Sequence, residues 1–185
     1  MNNIWKKIGL AMVVMITSSQ SWSSVLIEPY GGYQFSVGGK YGSEDTSFSG
    51  WGFGGRLGLD LNRIMFGIDY DWMNFDTEFE SGGKVETDQT NFGGLVGFNP
   101  AGTGFRFWFE YFFDVENTYK FSGGNSKFSG NGWGLGFGYK VTDIVALNAE
   151  YRNWTLDETS DGTPISDITG SAILLTISFP FEILK

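Results

Sequence analysis

The sequence predicts an all-β chain, an eight-stranded antiparallel up-and-down barrel, and three observations carry that expectation. Apolar and polar side chains alternate with a period of two along most of the chain, and no segment past Ser24 repeats at the helical spacing. Glycine and aromatics are abundant, with 28 glycines in 185 residues and 18% Phe, Trp and Tyr. Glycine costs about 1 kcal/mol against alanine inside a helix, so this composition opposes a helical bundle. The alternating segments are also joined by short and long connections in strict turn, as an up-and-down barrel requires.

The chain opens with Lys6 and Lys7, an apolar run from Ile8 to Ile16, and a small polar cluster from Thr17 to Ser21. This is the order of a secretory signal peptide, expected over residues 1–23 with cleavage before Ser24. The apolar run is about half the 20 residues a spanning helix needs, which argues against a membrane anchor. Residues 24–185 then form one domain.

The first strand is expected over Val25–Val37, with Val25, Ile27, Tyr33 and Phe35 on one face and Glu28, Tyr30 and Gln34 on the other. Gly50–Leu61 sets Trp51, Phe53, Leu57 and Leu59 against glycines and Arg56, and Ile64–Met73 sets Phe66, Ile68, Tyr70 and Trp72 against Asp69 and Asp71. Asn91–Phe98 and Phe105–Asp114 follow, the latter placing Phe107, Phe109 and Tyr111 opposite Arg106, Trp108 and Glu110. Gly132–Lys140 alternates Trp133, Leu135, Phe137 and Tyr139 with four glycines. Ile144–Trp154 sets Leu147, Ala149 and Tyr151 against Asn148, Glu150 and Arg152, and Ser171–Phe181 closes the series. Short turns are expected at Asn62-Arg63, around Asn99–Gly102 and at Val141–Asp143. Long polar loops are expected over Gly38–Ser49, Asn74–Thr90, Val115–Asn131 and Thr155–Gly170.

The charged face is the glycine-rich one, and the opposite face is nearly free of charge and dense in Phe, Trp and Tyr. An eight-stranded lumen has room for glycines and a few inward rings, and none for columns of Phe. The apolar face therefore turns outward to lipid, which makes the barrel a transmembrane one. Glu28, Arg56, Asp69, Arg106, Glu110, Glu150 and Arg152 then face the interior, where isolated charges are costly, so a paired network near mid-depth is expected. Trp51, Tyr70, Trp72, Tyr111, Trp133 and Tyr151 fall toward the long-loop end as an interfacial aromatic girdle. Phe98, Phe105, Tyr139 and Phe179 suit the opposite rim.

Four stretches carry a resemblance: Glu-Pro-Tyr-Gly-Gly-Tyr at 28–33, Gly-Gly-Arg-Leu-Gly at 54–58, Trp-Phe-Glu-Tyr at 108–111 and Leu-Asn-Ala-Glu-Tyr-Arg at 147–152. With them the chain resembles the small eight-stranded outer-membrane β-barrel family, of the OmpA transmembrane-domain and OmpX type, across the mature sequence. The resemblance implies a Gram-negative outer membrane, short turns in the periplasm and long loops outside. It implies outer-membrane lipid, lipopolysaccharide and the assembly machinery as partners. One departure stands out: Phe181 is followed by Glu182, Ile183, Leu184 and Lys185, whereas such barrels close on a terminal aromatic.

Composition excludes much chemistry. The chain has no Cys and no His, which removes disulfides, thiol nucleophiles, His-dependent triads and the usual zinc sites. A formal charge of -9 opposes binding to nucleic acid. No catalytic residue, cofactor site or metal site is assigned. Asp157, Glu158, Asp161 and Asp167 lack the EF-hand spacing and are read as solvated loop charge. Lys40, Lys84, Lys120 and Lys127 are placed in the outward loops. The expected role is a monomeric structural or surface-interaction barrel with a filled or narrow lumen, displaying loops to a surface ligand. The alternative is a channel or transporter for small or apolar solutes.

Overall fold

The computed structural model describes residues 24–61, 63–159 and 162–183. The expected signal peptide at 1–23 lies outside them, as do Asn62, Asp161 and the side chain of Asp167. The strands are β1 (Ser24–Tyr41), β2 (Glu44–Leu61), β3 (Ile64–Phe79), β4 (Lys84–Phe98), β5 (Phe105–Phe121), β6 (Gly124–Thr142), β7 (Val145–Thr159), β8 (Pro164–Ser178) and β9 (Phe181–Ile183). From β1 to β8 each strand pairs antiparallel with the next, and β1 also pairs with β8, closing a ring of 8 strands.

Closure requires tilt, because a tilted strand meets its neighbours in a staggered register. Following paired residues from Tyr30 through Gly54, Asp71, Asn91, Val115, Gly130, Leu156 and Ile168 returns to β1 at Tyr41 rather than Tyr30.

Segment β9 continues β8 along the same partner. Ser178 pairs with Tyr30, and Phe181 resumes opposite Ile27. Between them Pro180 has no N–H to give, which interrupts the ladder. Phe179 N–H donates to Pro29 O at 2.9 Å and holds the break against β1. The final strand thus runs to Ile183, past the expected end at Phe181, and Glu182 pairs with Lys140.

The four long loops are a correction. Strands continue through most of each expected loop: the connections at that end reduce to residues 42–43, 80–83 and 122–123, and β7 runs to Thr159 with β8 resuming at Pro164. At one of them Gly82 N–H donates to Phe79 O at 2.9 Å with Gly82 at φ 93°, a conformation open to glycine and strained for other residues. The strands persist because period two persists on their inner face: Phe75, Thr77 and Phe79 on β3, Val85, Thr87 and Gln89 on β4, Val115, Asn117 and Tyr119 on β5. Phe48, Phe75, Val115, Tyr119, Phe128, Trp154, Leu156 and Ile168 form one buried cluster inside this end. A smaller cluster of Leu26, Met65, Leu95 and Trp108 fills the short-turn end.

Candidate functional site: the charged lumen and its aromatic belt

Between the two apolar clusters lies a charged layer built from alternate residues of five strands, β1, β2, β3, β5 and β7. On β2 and β3, Arg56 pairs directly with Asp69 in register, and its Nε donates to Asp69 Oδ2 at 2.8 Å. The same guanidinium reaches Glu110 Oε1 at 3.2 Å and Glu150 Oε2 at 2.7 Å. Arg106 holds Glu28 in a two-pronged pair, Nη1 to Oε2 at 2.8 Å and Nη2 to Oε1 at 2.6 Å. This fork geometry suits a carboxylate better than any lysine could. Arg152 donates to Asp71 Oδ2 at 2.6 Å and through Nε to Glu150.

All seven anticipated interior residues are buried, and each makes an ion pair with another member of the cluster. They form two linked groups. Glu28 and Arg106 extend toward the short turns through Asn148, which accepts from Arg106 Nη2 at 2.9 Å and donates to Thr176 and Ser178. Arg56, Asp69, Glu110, Glu150 and Arg152 form the centre.

The network also holds residues that sequence reasoning does not assign to it. Asp71, on the inner face by alternation alone, accepts from Asn91 Nδ2 at 2.7 Å as well as from Arg152. Tyr30 and Trp108 do more than fill space. Tyr30 donates to Asp69 Oδ1 at 2.8 Å, and Trp108 Nε1 donates to Glu150 Oε2 at 3.0 Å. Their ring faces also receive cations, with the Arg56 guanidinium carbon 4.5 Å from the Trp108 ring centre and 4.8 Å from that of Tyr30. The sequence signal for Asp71 and Asn148 is position, two residues from Asp69 and Glu150 on the same strand face.

The glycines make this layer possible. A side chain at Gly136 would overlap the Trp108 indole, and one at Gly54 would press within 2.6 Å of the Tyr30 ring.

Outside, Trp51, Tyr70, Tyr111 and Trp133 are exposed on the barrel wall, and Trp72 and Tyr151 are half-buried on the same face. Trp51 meets Trp72 edge-on at 5.5 Å between ring centres, and Trp133 leans on Tyr151 at 5.5 Å. Immediately beyond these rings the outward positions become polar, at Ser49, Asn74, Asp114, Asn131 and Asn153. On the membrane side they meet the exposed Phe53, Leu57, Phe66, Ile68, Phe107, Phe109, Leu135 and Phe137.

An apolar belt on a closed barrel, with charges sealed inside, suits a strand-built membrane protein. The family model of the outer membrane protein beta-barrel domain matches residues 8–181. The chain belongs to that family. As an outer membrane β-barrel it resides in the cell outer membrane of a Gram-negative bacterium. Its fold is similar to that of Neisserial surface protein A, with 16% identity and a TM-score of 0.57 over 88% of this chain and 100% of that one. It is also similar to Ail of Yersinia pestis, solved with the heparin analogue sucrose octasulfate, at 12% identity and a TM-score of 0.56 over 85% and 99% of the two chains. The N-terminal barrel of Pseudomonas aeruginosa OprF matches at 16% identity and a TM-score of 0.51, covering 88% and 100%. No curated protein matches the sequence.

Proposed function

We propose that this outer membrane barrel is a structural and surface-interaction protein that holds its lumen shut and presents stiff strand tips outside the cell. The observation that carries this reading is the stacking of three filled levels along the lumen. Leu26, Met65, Leu95 and Trp108 occupy the short-turn end, the Arg-carboxylate network the middle, and the cluster around Phe75, Tyr119 and Trp154 the outer end. A conducting path needs a continuous polar passage, and two apolar plugs in series oppose one.

The charges then serve the structure, satisfying one another across five strands and holding the ring in one register. The reading includes no catalytic step, and the histidine-based designs are closed to a chain without histidine. Lipopolysaccharide, the outer-membrane assembly machinery and a ligand at the strand tips are the proposed partners, with the barrel acting as a monomer. Residues 1–23 are its proposed secretory leader.

Purified barrel in planar bilayers tests the proposal. The expected record is flat, without steady unitary steps, whereas steady porin-size conductance would overturn the closed lumen and favour the channel. In cells, loss of the protein is expected to raise entry of an apolar dye. A specific loss of solute uptake with an intact dye barrier would instead support transport.

A further inference from the structure

Strands β1, β5 and β7 each slip in register against both neighbours, and the slip on β1 lies beside a depression in the outer wall. At a single level of β1 the register slips against both neighbours, between Phe35 and Lys40 on the β2 side and between Ser36 and Gly38 on the β8 side. The inserted residue brings Val37 and Gly38 together on the outer face, as a β-bulge does. A depression of about 420 Å³ opens here, lined by Gly38, Lys40, Asp45, Asn153, Thr169 and Ser171 among others. This volume lies within the range of ligand clefts, about 300–1,000 Å³.

Its position and its lining both restrict the occupant. On the membrane side the outward residues of the same strands are Tyr33 and Phe35 of β1, Ile173 and Leu175 of β8 and Tyr151 of β7, all on the lipid belt. Beyond them every lining side chain is polar or absent. Anything seated here touches acyl chains on one side and the aqueous surface on the other. The lining mixes donors and acceptors: the hydroxyl of Thr169, the amide of Asn153, and Ser171 Oγ, which donates to Gly38 O at 3.1 Å. The Thr169 and Asn153 side chains make no hydrogen bond to another described residue. Lys40 is held by Asp45 at 3.9 Å, both side chains well exposed. Such a loose surface pair contributes little and exchanges readily for a doubly charged phosphate, which binds an ammonium more strongly.

We propose that this bulge is a binding site for the headgroup of a phosphorylated glycolipid of the outer leaflet. Its sugar hydroxyls are held by Asn153, Thr169 and Ser171, its phosphate by Lys40, and its acyl chains lie over Phe35 and Ile173. Gly38 supplies the floor: a methyl group there would meet only Ser171 Oγ, at 3.6 Å, so a larger residue fills the depression without disturbing the wall. The inference rests on the outer-membrane location and not on the closed lumen, so a failed binding test and a conducting barrel are separate results.

Native mass spectrometry of the detergent-purified barrel is the test, with lipid A, dephosphorylated lipid A and phosphatidylethanolamine as probes. Wild type should retain lipid A in preference to both others. Gly38→Leu should weaken lipid A retention by about tenfold or more, and Lys40→Gln should erase the preference for the phosphorylated form. Asn153→Ala should weaken binding without touching the bulge, and Thr118→Leu, on the outer face of β5, should change nothing. The heat-dependent gel shift establishes that each variant is folded. Unchanged binding by Gly38→Leu, equal retention of phosphatidylethanolamine and lipid A, or an equal loss in Thr118→Leu would overturn the site.

Discussion

The two halves of this barrel solve the same closure with opposite polarity. In the membrane half, Phe, Leu and Trp face out and arginines and carboxylates face in. In the protruding half, Asp76, Glu78, Glu86, Asp88 and Lys120 face out while Phe75, Val115, Tyr119, Trp154 and Leu156 face in. The inversion occurs at the aromatic girdle, where β3 and β4 stay in register from end to end and β5 slips by one residue before its alternation resumes. The solvent outside decides what a wall must show, and the fixed backbone geometry passes the complementary residue inside. One half is held by hydrogen-bonded charge, the other by the burial that stabilises soluble barrels.

The largest losses are expected in the charged half. Arg56 faces three carboxylates, and Arg56→Ala leaves them buried without their cation. The expected loss is about 3–5 kcal/mol, read from urea unfolding in detergent. Glu110 behaves differently. Both its oxygens lack a hydrogen-bond partner, and the buried carboxyls Glu28, Asp69, Asp71, Glu110 and Glu150 outnumber the three buried arginines. Glu110→Gln should therefore stay within about 1 kcal/mol of wild type. A loss as large as that of Arg56→Ala would show the network to be less divisible than its geometry.

In the protruding half the sensitive residues are apolar. Leu156 is fully buried, and Leu156→Ala should cost about 2–4 kcal/mol in the same assay. If these residues stood in a loose loop, the change would be small. Next comes the Thr77–Thr87 hydroxyl pair, 2.8 Å apart inside the wall. Thr77→Val alone should cost about 1 kcal/mol, because it leaves the Thr87 hydroxyl only its long 3.5 Å bond to Val85 O, and adding Thr87→Val should recover most of it.

Outer-face charges should matter least. The Lys120 ammonium, donating to Glu86, is the main influence holding that carboxyl below its ordinary range, with Asn74 adding to it. A depressed carboxyl stabilises the folded state above its unfolded pKa and loses that contribution as pH falls through the folded value. Lys120 itself is raised, chiefly by Asp88 and then Glu86, so its share is present below its ordinary value and lost as pH rises through the raised one. Because these groups are exposed, the unfolding midpoint should move only slightly between pH 7 and pH 3.5, and less still in high salt.

The membrane half is legible in the sequence because both of its faces announce themselves. Tyr70 and Trp72 against Asp69 and Asp71 cannot be read as anything but a strand with two unlike sides. Pairing among the charges is legible as a need, and the particular partners are not, since Arg152 meeting Asp71 depends on the stagger of a closed ring. The protruding half departs from its expected loops for a physical reason. Its inward residues include Thr77, Thr87, Gln89 and Asn117, and its outward ones are charged, so the contrast between faces fades while the period survives. Polar composition suggests loops where Phe75, Val85, Val115 and Tyr119 continue the strand.

The contrast between the halves depends on strands that continue past the girdle, and the absence of native cysteine gives a clean background for testing that continuity. Single cysteines placed along β4 from Lys84 to Phe98 can be spin-labelled in lipid vesicles and probed for collisions with oxygen and with a water-soluble nickel chelate. The labels at 92, 94, 96 and 98 should meet oxygen, those at 86, 88 and 90 should meet the chelate, and those at 87 and 89 should be shielded from both. Uniform exposure to the chelate from 84 to 90, with no period of two, would contradict it.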